Sequence, residues 1–241
     1  MAYTGLVKPS TQVWQPSNSL ASGCQVFYSP LQTTDVSEII DYSPAGNDGL
    51  AEFPGSSPVG TTYPFRLNVA GFGQGVDLNT GFRPHIDFGT PVPFSGTSSS
   101  VAVAGQLLRY DGIIVNDSLR GISATEAELR IGNFSRQVSV SILLNTPFLI
   151  FYGCDSGTCF VRCDGVTNTI TATGITIDIN ELGRALGSNG GFYMAGFSAW
   201  DRPLTAAEMT RMETDFFELV RPVSGGNDYT RQRRQTQQFI G

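Results

Sequence analysis

Histidine occurs once in the chain, at His85, and lysine once, at Lys8; every other basic residue is an arginine. A single imidazole excludes mechanisms that need two, among them most zinc hydrolase sites. Charged residues are only 15% of the chain and the formal net charge is −6. That balance argues against a general nucleic-acid binder, which needs a basic surface. No apolar run reaches the ~18 residues of a membrane-spanning helix. Residues 1–9 lack the apolar stretch and cleavage site of a secretory signal, so the expectation is a chain that is not exported. Neither a G-x-S-x-G elbow nor a glycine-rich phosphate loop is present, which removes two common routes to catalysis.

What the chain has in quantity is turn chemistry. It carries 28 glycines and 13 prolines in 241 residues, with 40% hydrophobic residues. That is enough apolar material for one large core, and the punctuation suits many short strands rather than helical bundles. Strands are expected over residues 24–30, 63–69, 84–88, 99–110, 137–144, 148–152, 159–163, 167–173 and 192–200. Val138, Val140, Ile142 and Leu144 alternate with Ser139 and Ser141, the period of a half-buried antiparallel strand. Val101 and Val103 fall on one face of their segment and Ala102 and Ala104 on the other. Residues 148–152 are apolar without a break, as in a central strand covered on both sides. Asp164-Gly165 reads as a two-residue hairpin turn.

One helix is expected. Thr205-Ala206-Ala207-Glu208 is a capping box, with Leu204 and Met209 placed as a hydrophobic staple. Met209, Met212, Phe216 and Leu219 or Val220 form an apolar stripe that Pro222 ends. This stripe is read as core, covering an edge or end of the sheets. Ser123-x-x-Glu126 is read as a second helix cap.

Four cysteines stand at 24, 154, 159 and 163. Free thiols are the favoured reading in the absence of an export signal. A Cys154–Cys159 disulfide across the intervening hairpin loop is sterically open, and the spacing fits no common zinc pattern.

The order of landmarks resembles a known family. The segment Phe27-Tyr28-Ser29-Pro30-Leu31 leads into Asp41-Tyr42-Ser43, with Gly46-Asn47-Asp48-Gly49 following. A central hairpin holds Cys159-Phe160-Val161-Arg162-Cys163-Asp164-Gly165-Val166. The closing phrase is Gly196-Phe197-Ser198-Ala199-Trp200-Asp201-Arg202-Pro203-Leu204-Thr205, then Glu208. Together these are similar to laminin-G-like domains of the concanavalin A-like lectin/glucanase superfamily. The ending Asp215-Phe216-Phe217-Glu218-Leu219-Val220-Arg221-Pro222 resembles the tail of such domains in bacteriophage virion proteins. The resemblance implies an all-β fold: a two-sheet antiparallel jelly-roll sandwich, concanavalin A-like, with one short C-terminal helix and extended terminal arms. The divisions expected are an N-terminal arm over residues 1–20, the sandwich over 21–222 and a basic arm over 223–241.

Function is weighed among three classes. Glycosidases of this superfamily set two carboxylates on one strand face. The acidic pairs here are Asp35/Glu38, Glu126/Glu128 and Asp215/Glu218, and none makes a convincing acid–nucleophile pair. No enzyme is expected, and no catalytic, cofactor-binding or metal-ligating set is assigned. A carbohydrate-binding module is the alternative, with the Asp41 turn, residues 77–79 and the aromatics Tyr63, Phe72 and Phe82 as rim candidates. Their bland reading is turn hydrogen bonding and core capping. The main expectation is a non-enzymatic bacteriophage virion protein, most of all a capsid decoration protein, assembled in the host cytoplasm. Its partners would be the major capsid protein or neighbouring copies in a homo-oligomer, with a surface glycan as the other candidate and neither nucleic acid nor membrane. Trp14, Arg231, Arg233, Arg234 and Phe239 are the expected partner-binding residues, arginine forks and aromatic anchors on the two arms.

Overall fold

Alternation of apolar and small polar residues, broken by Gly, Pro, Asn and Asp, yields fourteen strands among the described residues. The computed structural model describes residues 12–30, 38–52, 65–78, 85–108, 126–131, 136–183 and 192–221. The strands are β1 (Cys24–Tyr28), β2 (Glu38–Ile39), β3 (Gly49–Glu52), β4 (Phe65–Val69), β5 (Gly73–Asp77), β6 (His85–Ser95) and β7 (Ser98–Leu107). They continue with β8 (Glu126–Ile131), β9 (Arg136–Ser141), β10 (Pro147–Asp155), β11 (Thr158–Cys163), β12 (Val166–Thr171), β13 (Thr176–Leu182) and β14 (Phe192–Trp200). A helix, α1 (Ala206–Thr214), and 3₁₀ turns at Ser19–Ala21 and Phe216–Val220 complete the described elements.

The strands form two antiparallel sheets. The larger runs β12-β11-β10-β7-β14-β5-β4, and β1 also pairs with β14. Strand β14 shares its length between two partners: Tyr193 and Met194 lie opposite β5, while Phe197 to Trp200 lie opposite β1. The smaller sheet runs β13-β6-β3-β2, and β8 and β9 form a separate hairpin. The jelly-roll sandwich expected from the sequence is the architecture found.

Period two explains which side chains go where. Val101, Val103, Ile150, Tyr152 and Phe197 point into the core between the sheets, where they meet Ile86, Phe88, Val92 and Phe94 of β6. The alternate residues, Phe27, Ala102, Ala104, Leu149, Phe151 and Trp200, point to the opposite face of the larger sheet. That face is also covered, by Leu204, Met209 and Met212 around α1, by Phe216 and Phe217, and by Leu20 near the N-terminus. Every residue of β14 is buried as a result, the pattern of a strand covered on both sides. The helix therefore lies across an outer sheet face rather than at an edge or end. Gly196 is required there, because a Cβ on it would overlap the Phe216 ring.

Three local readings are corrected. The helix does not continue to Pro222. It stops at Thr214, and Asp215, with extended backbone, accepts from Phe217 N (3.1 Å) to start a separate 3₁₀ turn. Glu126 begins a strand, not a helix, because pairing with β9 (Glu126 opposite Ser141) overrides the local cap signal. Ser123 lies outside the described residues. Cys154 and Cys159 are joined in a disulfide, whereas free thiols were the favoured reading. They sit opposite each other in the β10–β11 register, so strand pairing brings them together. Cys24 and Cys163 are free, buried thiols.

Candidate functional site

The most elaborate loop is the one after β1, and its organiser is Asp41. The carboxylate is buried and accepts from Phe27 N (2.9 Å), Ser43 N (2.8 Å), Asn47 N (2.7 Å) and Ser43 Oγ (2.8 Å). Burial pushes this carboxyl above its ordinary range, against the opposing pull of the hydrogen bonds from Phe27, Ser43 and Asn47. Asp48 accepts from Asp41 N (2.7 Å), and the Tyr28 hydroxyl donates to Asn47 O (2.6 Å). The loop is thus held from beneath by groups that cannot leave without exposing buried donors.

Across from it, β6 bows out of register. Val92 lies opposite Ile179 and Asp87 opposite Glu181, so two steps along β13 answer five along β6. Bulges of this kind re-aim chain segments at sheet rims. Asn47 clamps the bulge with both amide atoms: its Oδ1 accepts from Thr90 N (2.8 Å) and its Nδ2 donates to Thr90 O (2.6 Å). Gly89 N donates to Asp48 O (3.3 Å). Between loop and bulge lies an open groove of about 530 Å³, walled by Gln25, Ala45, Asn47, Asp48, Thr90 and Pro91 among others. Among the described residues no lysine or arginine lines it, and Asp48 is the one charged residue that does. Such a surface offers acceptors and amide donors to hydroxyl groups and repels anions.

The residues singled out from the sequence fall as follows. Trp14 packs on Phe27 of its own chain, with ring centroids 6.1 Å apart. The backbone beside it is tied to the C-terminal turn, Val13 N to Val220 O (2.9 Å) and Gln15 N to Leu219 O (2.8 Å). The described part of the N-terminal arm therefore lies on the body of the domain. Arg231, Arg233, Arg234 and Phe239 lie outside the described residues, as do Tyr63, Asn79, Phe82 and Asp35. Phe72 is fully buried and meets Phe217 edge to face, at 6.4 Å, so it is core. Asp215 pairs with Arg221 (2.7 Å) and Glu218 with Arg211, which commits both acids to structure.

A second polar group was not legible beforehand. His85 and Asp87 stand two apart on β6, and Glu181 lies directly opposite Asp87 on β13. Their ligand atoms all fall within 4.8 Å of one another, and His85 Nε2 is 3.4 Å from Asp87 Oδ1. The spacing His85-x-Asp87 was visible in the sequence. Nothing there pointed to Glu181, which only the sheet register brings alongside.

No family model and no curated protein matches the sequence. Solved structures share its fold. Domain 4 of AbnA, a GH43 extracellular arabinanase from Geobacillus stearothermophilus, in complex with arabinotriose, superposes with a TM-score of 0.54 at 15% identity, over 79% of this chain and 98% of that one. Trypanosoma rangeli sialidase in complex with sialic acid gives 0.51 at 9% identity, over 80% of this chain and 33% of that one. The botulinum neurotoxin serotype D binding domain gives 0.50 at 11% identity, over 80% and 51%. The chain thus spans about a third of the sialidase and about half of the toxin domain. At these identities what is shared is the fold, and the chain is a β-sandwich like the matching parts of those structures.

Proposed function

We propose that this chain is a non-enzymatic, lectin-like carbohydrate-binding domain that takes a neutral sugar in the groove between the Asp41 loop and the β6 bulge. The observation that carries the reading is the preorganised polar groove. Its walls are locked by the Asp41 carboxylate and the Asn47 clamp, so little ordering cost remains when a ligand binds. Two neighbours in fold are proteins solved with sugars, arabinotriose in one and sialic acid in the other. Asp48 on the groove wall, with no basic group among the described lining residues, favours neutral over acidic sugars.

The capsid-decoration reading calls on Trp14, which packs on Phe27 of its own chain, and on Arg231, Arg233, Arg234 and Phe239, which lie outside the described residues. The glycan reading has a described surface behind it and is preferred. The phage-like closing phrase of residues 215–222 supports carriage of the module on a tail or fibre, the alternative that the sequence offered.

A glycan array followed by calorimetry tests this. Ala45 is exposed on the groove wall, so Ala45→Trp fills the groove without removing a hydrogen-bonding side chain. The expected result is binding of a neutral oligosaccharide by the natural chain and its loss in Ala45→Trp at unchanged melting temperature. Equal binding by both, or none by either, refutes the assignment. Release assays on laminarin, chitin and peptidoglycan are expected to be blank; activity that vanished in Glu126→Gln would make the chain an enzyme.

A further inference from the structure

We infer that His85, Asp87 and Glu181 form a binding site for one divalent transition-metal ion of the zinc class. The placement follows from strand alternation. Ile86 and Phe88 point into the core between the sheets, so His85 and Asp87 occupy the outer face of the smaller sheet. Glu181 joins them because its Cα is the register partner of Asp87.

This is more than an acidic cluster. The third member is an imidazole whose side chain is only 4% exposed, while that of Asp87 is 39% exposed. The ring is therefore held in place by the fold, and a partly exposed acid stands beside it. The separation of His85 Nε2 from Asp87 Oδ1, 3.4 Å, exceeds a good N–H···O bond. It equals the edge of a tetrahedron whose metal–ligand bonds are about 2.1 Å, the zinc–nitrogen and zinc–oxygen length. Glu181, with its ligand atom within 4.8 Å of the others, closes the third vertex by side-chain rotation. The fourth position is left to water. One nitrogen and two carboxylate oxygens suit zinc or its transition-metal neighbours, whereas calcium prefers oxygen ligands alone. The site lies on β6 just before the groove-forming bulge, and it does not depend on glycan binding.

The test uses the full chain, stripped with EDTA and titrated with zinc chloride, calcium chloride and cobalt chloride in separate experiments. Expected are one zinc per chain at micromolar concentration, a raised melting temperature, no response to calcium and the visible absorption of tetrahedral cobalt. Glu181→Gln and Asp87→Asn alter partly exposed side chains, and both are expected to fold. Each should weaken zinc binding by at least about tenfold, the lower figure for losing even an outer-shell partner. His85→Gln should do the same, but its burial makes it the less secure variant. No zinc response in the natural chain overturns the inference, as does equal zinc affinity in folded Glu181→Gln. A calcium response as strong as that to zinc overturns the metal class.

Discussion

Asp41 satisfies three backbone N–H groups and one hydroxyl with two oxygens, so its replacement should be felt well beyond one loop. Asp41→Ala leaves the donors of Phe27, Ser43 and Asn47 without their acceptor. At about 1 kcal/mol or more for each, urea unfolding should show a loss of at least about 3 kcal/mol; a loss near zero would mean that water replaces the carboxylate. The cysteines offer a second check at this scale. Burial pushes the thiols of Cys24 and Cys163 far above their ordinary range, helped at Cys24 by Asp41 and at Cys163 by Asp164 and Glu213. Thiols that seldom ionise are poor nucleophiles. The chain purified in air is expected to label at no cysteine when folded, at two when unfolded, and at four when unfolded and reduced, as read by mass spectrometry. Four labels without reductant would contradict the Cys154–Cys159 disulfide.

Among the elements, α1 is the one whose start is written most completely in local chemistry. Thr205 Oγ1 accepts from Glu208 N (3.2 Å) and Glu208 Oε2 accepts from Thr205 N (2.8 Å). Glu208 also pairs with Arg202 at 2.7 Å. Thr205→Ala should cost about 1 kcal/mol, and an unchanged melting temperature would show that the docked face alone holds the helix. The same carboxylate predicts an acid response. Partial burial pushes Glu208 up, but the hydrogen bonds from Arg202 and Thr205 outweigh it and hold the carboxyl below its usual range. A depressed folded value means that the stabilisation is complete above the unfolded pKa of about 4.3 and is lost as pH falls through the lower, folded value. Stability measured between about pH 5 and pH 3 should therefore fall more steeply in the natural chain than in Glu208→Gln. The comparison removes Asp41, whose raised carboxyl acts in the opposite direction. Parallel profiles would rule the Glu208 contribution out.

For the molecule as a whole, the decisive feature is that the central strands of the larger sheet, β7, β10 and β14, are covered on both faces. The second cover is built from the two ends of the domain. Leu20 and the 3₁₀ turn before β1 lie with α1, Phe216 and Phe217 over Phe27, Phe151 and Trp200, and Trp200 Nε1 donates to Leu20 O (2.8 Å). Arg162, reaching from β11, binds Glu213 of α1 through two hydrogen bonds (2.9 and 2.7 Å) and locks helix to sheet. A chain ended after Pro203 should leave an aromatic sheet face in water and elute as aggregates in size-exclusion chromatography. A chain ended after Pro222 keeps the cover and should elute and melt like the natural one. Soluble, cooperatively melting protein from the shorter chain would show that the cover is dispensable.

Much of this was open to reading from the chain alone. Strand alternation at Val101 to Ala104, the covered strand of residues 148–152, the Asp164-Gly165 turn and the Thr205 capping box are all matters of nearest neighbours and short periods, and local sterics and hydrogen bonding settle them. The Asp41 turn was recognisable too, because aspartate and asparagine bond to backbone only a few residues away. What the chain could not declare depends on pairing between distant segments. The clamp of Asn47 on Thr90, the placing of Glu181 beside Asp87, the meeting of Cys154 with Cys159 and the docking of α1 on an outer sheet face all follow from strand register and layer order. Register is fixed by which faces can be buried together, a property of the whole core and not of any window of sequence. The groove and the histidine–carboxylate cluster are both products of that register, and tertiary structure alone decided them.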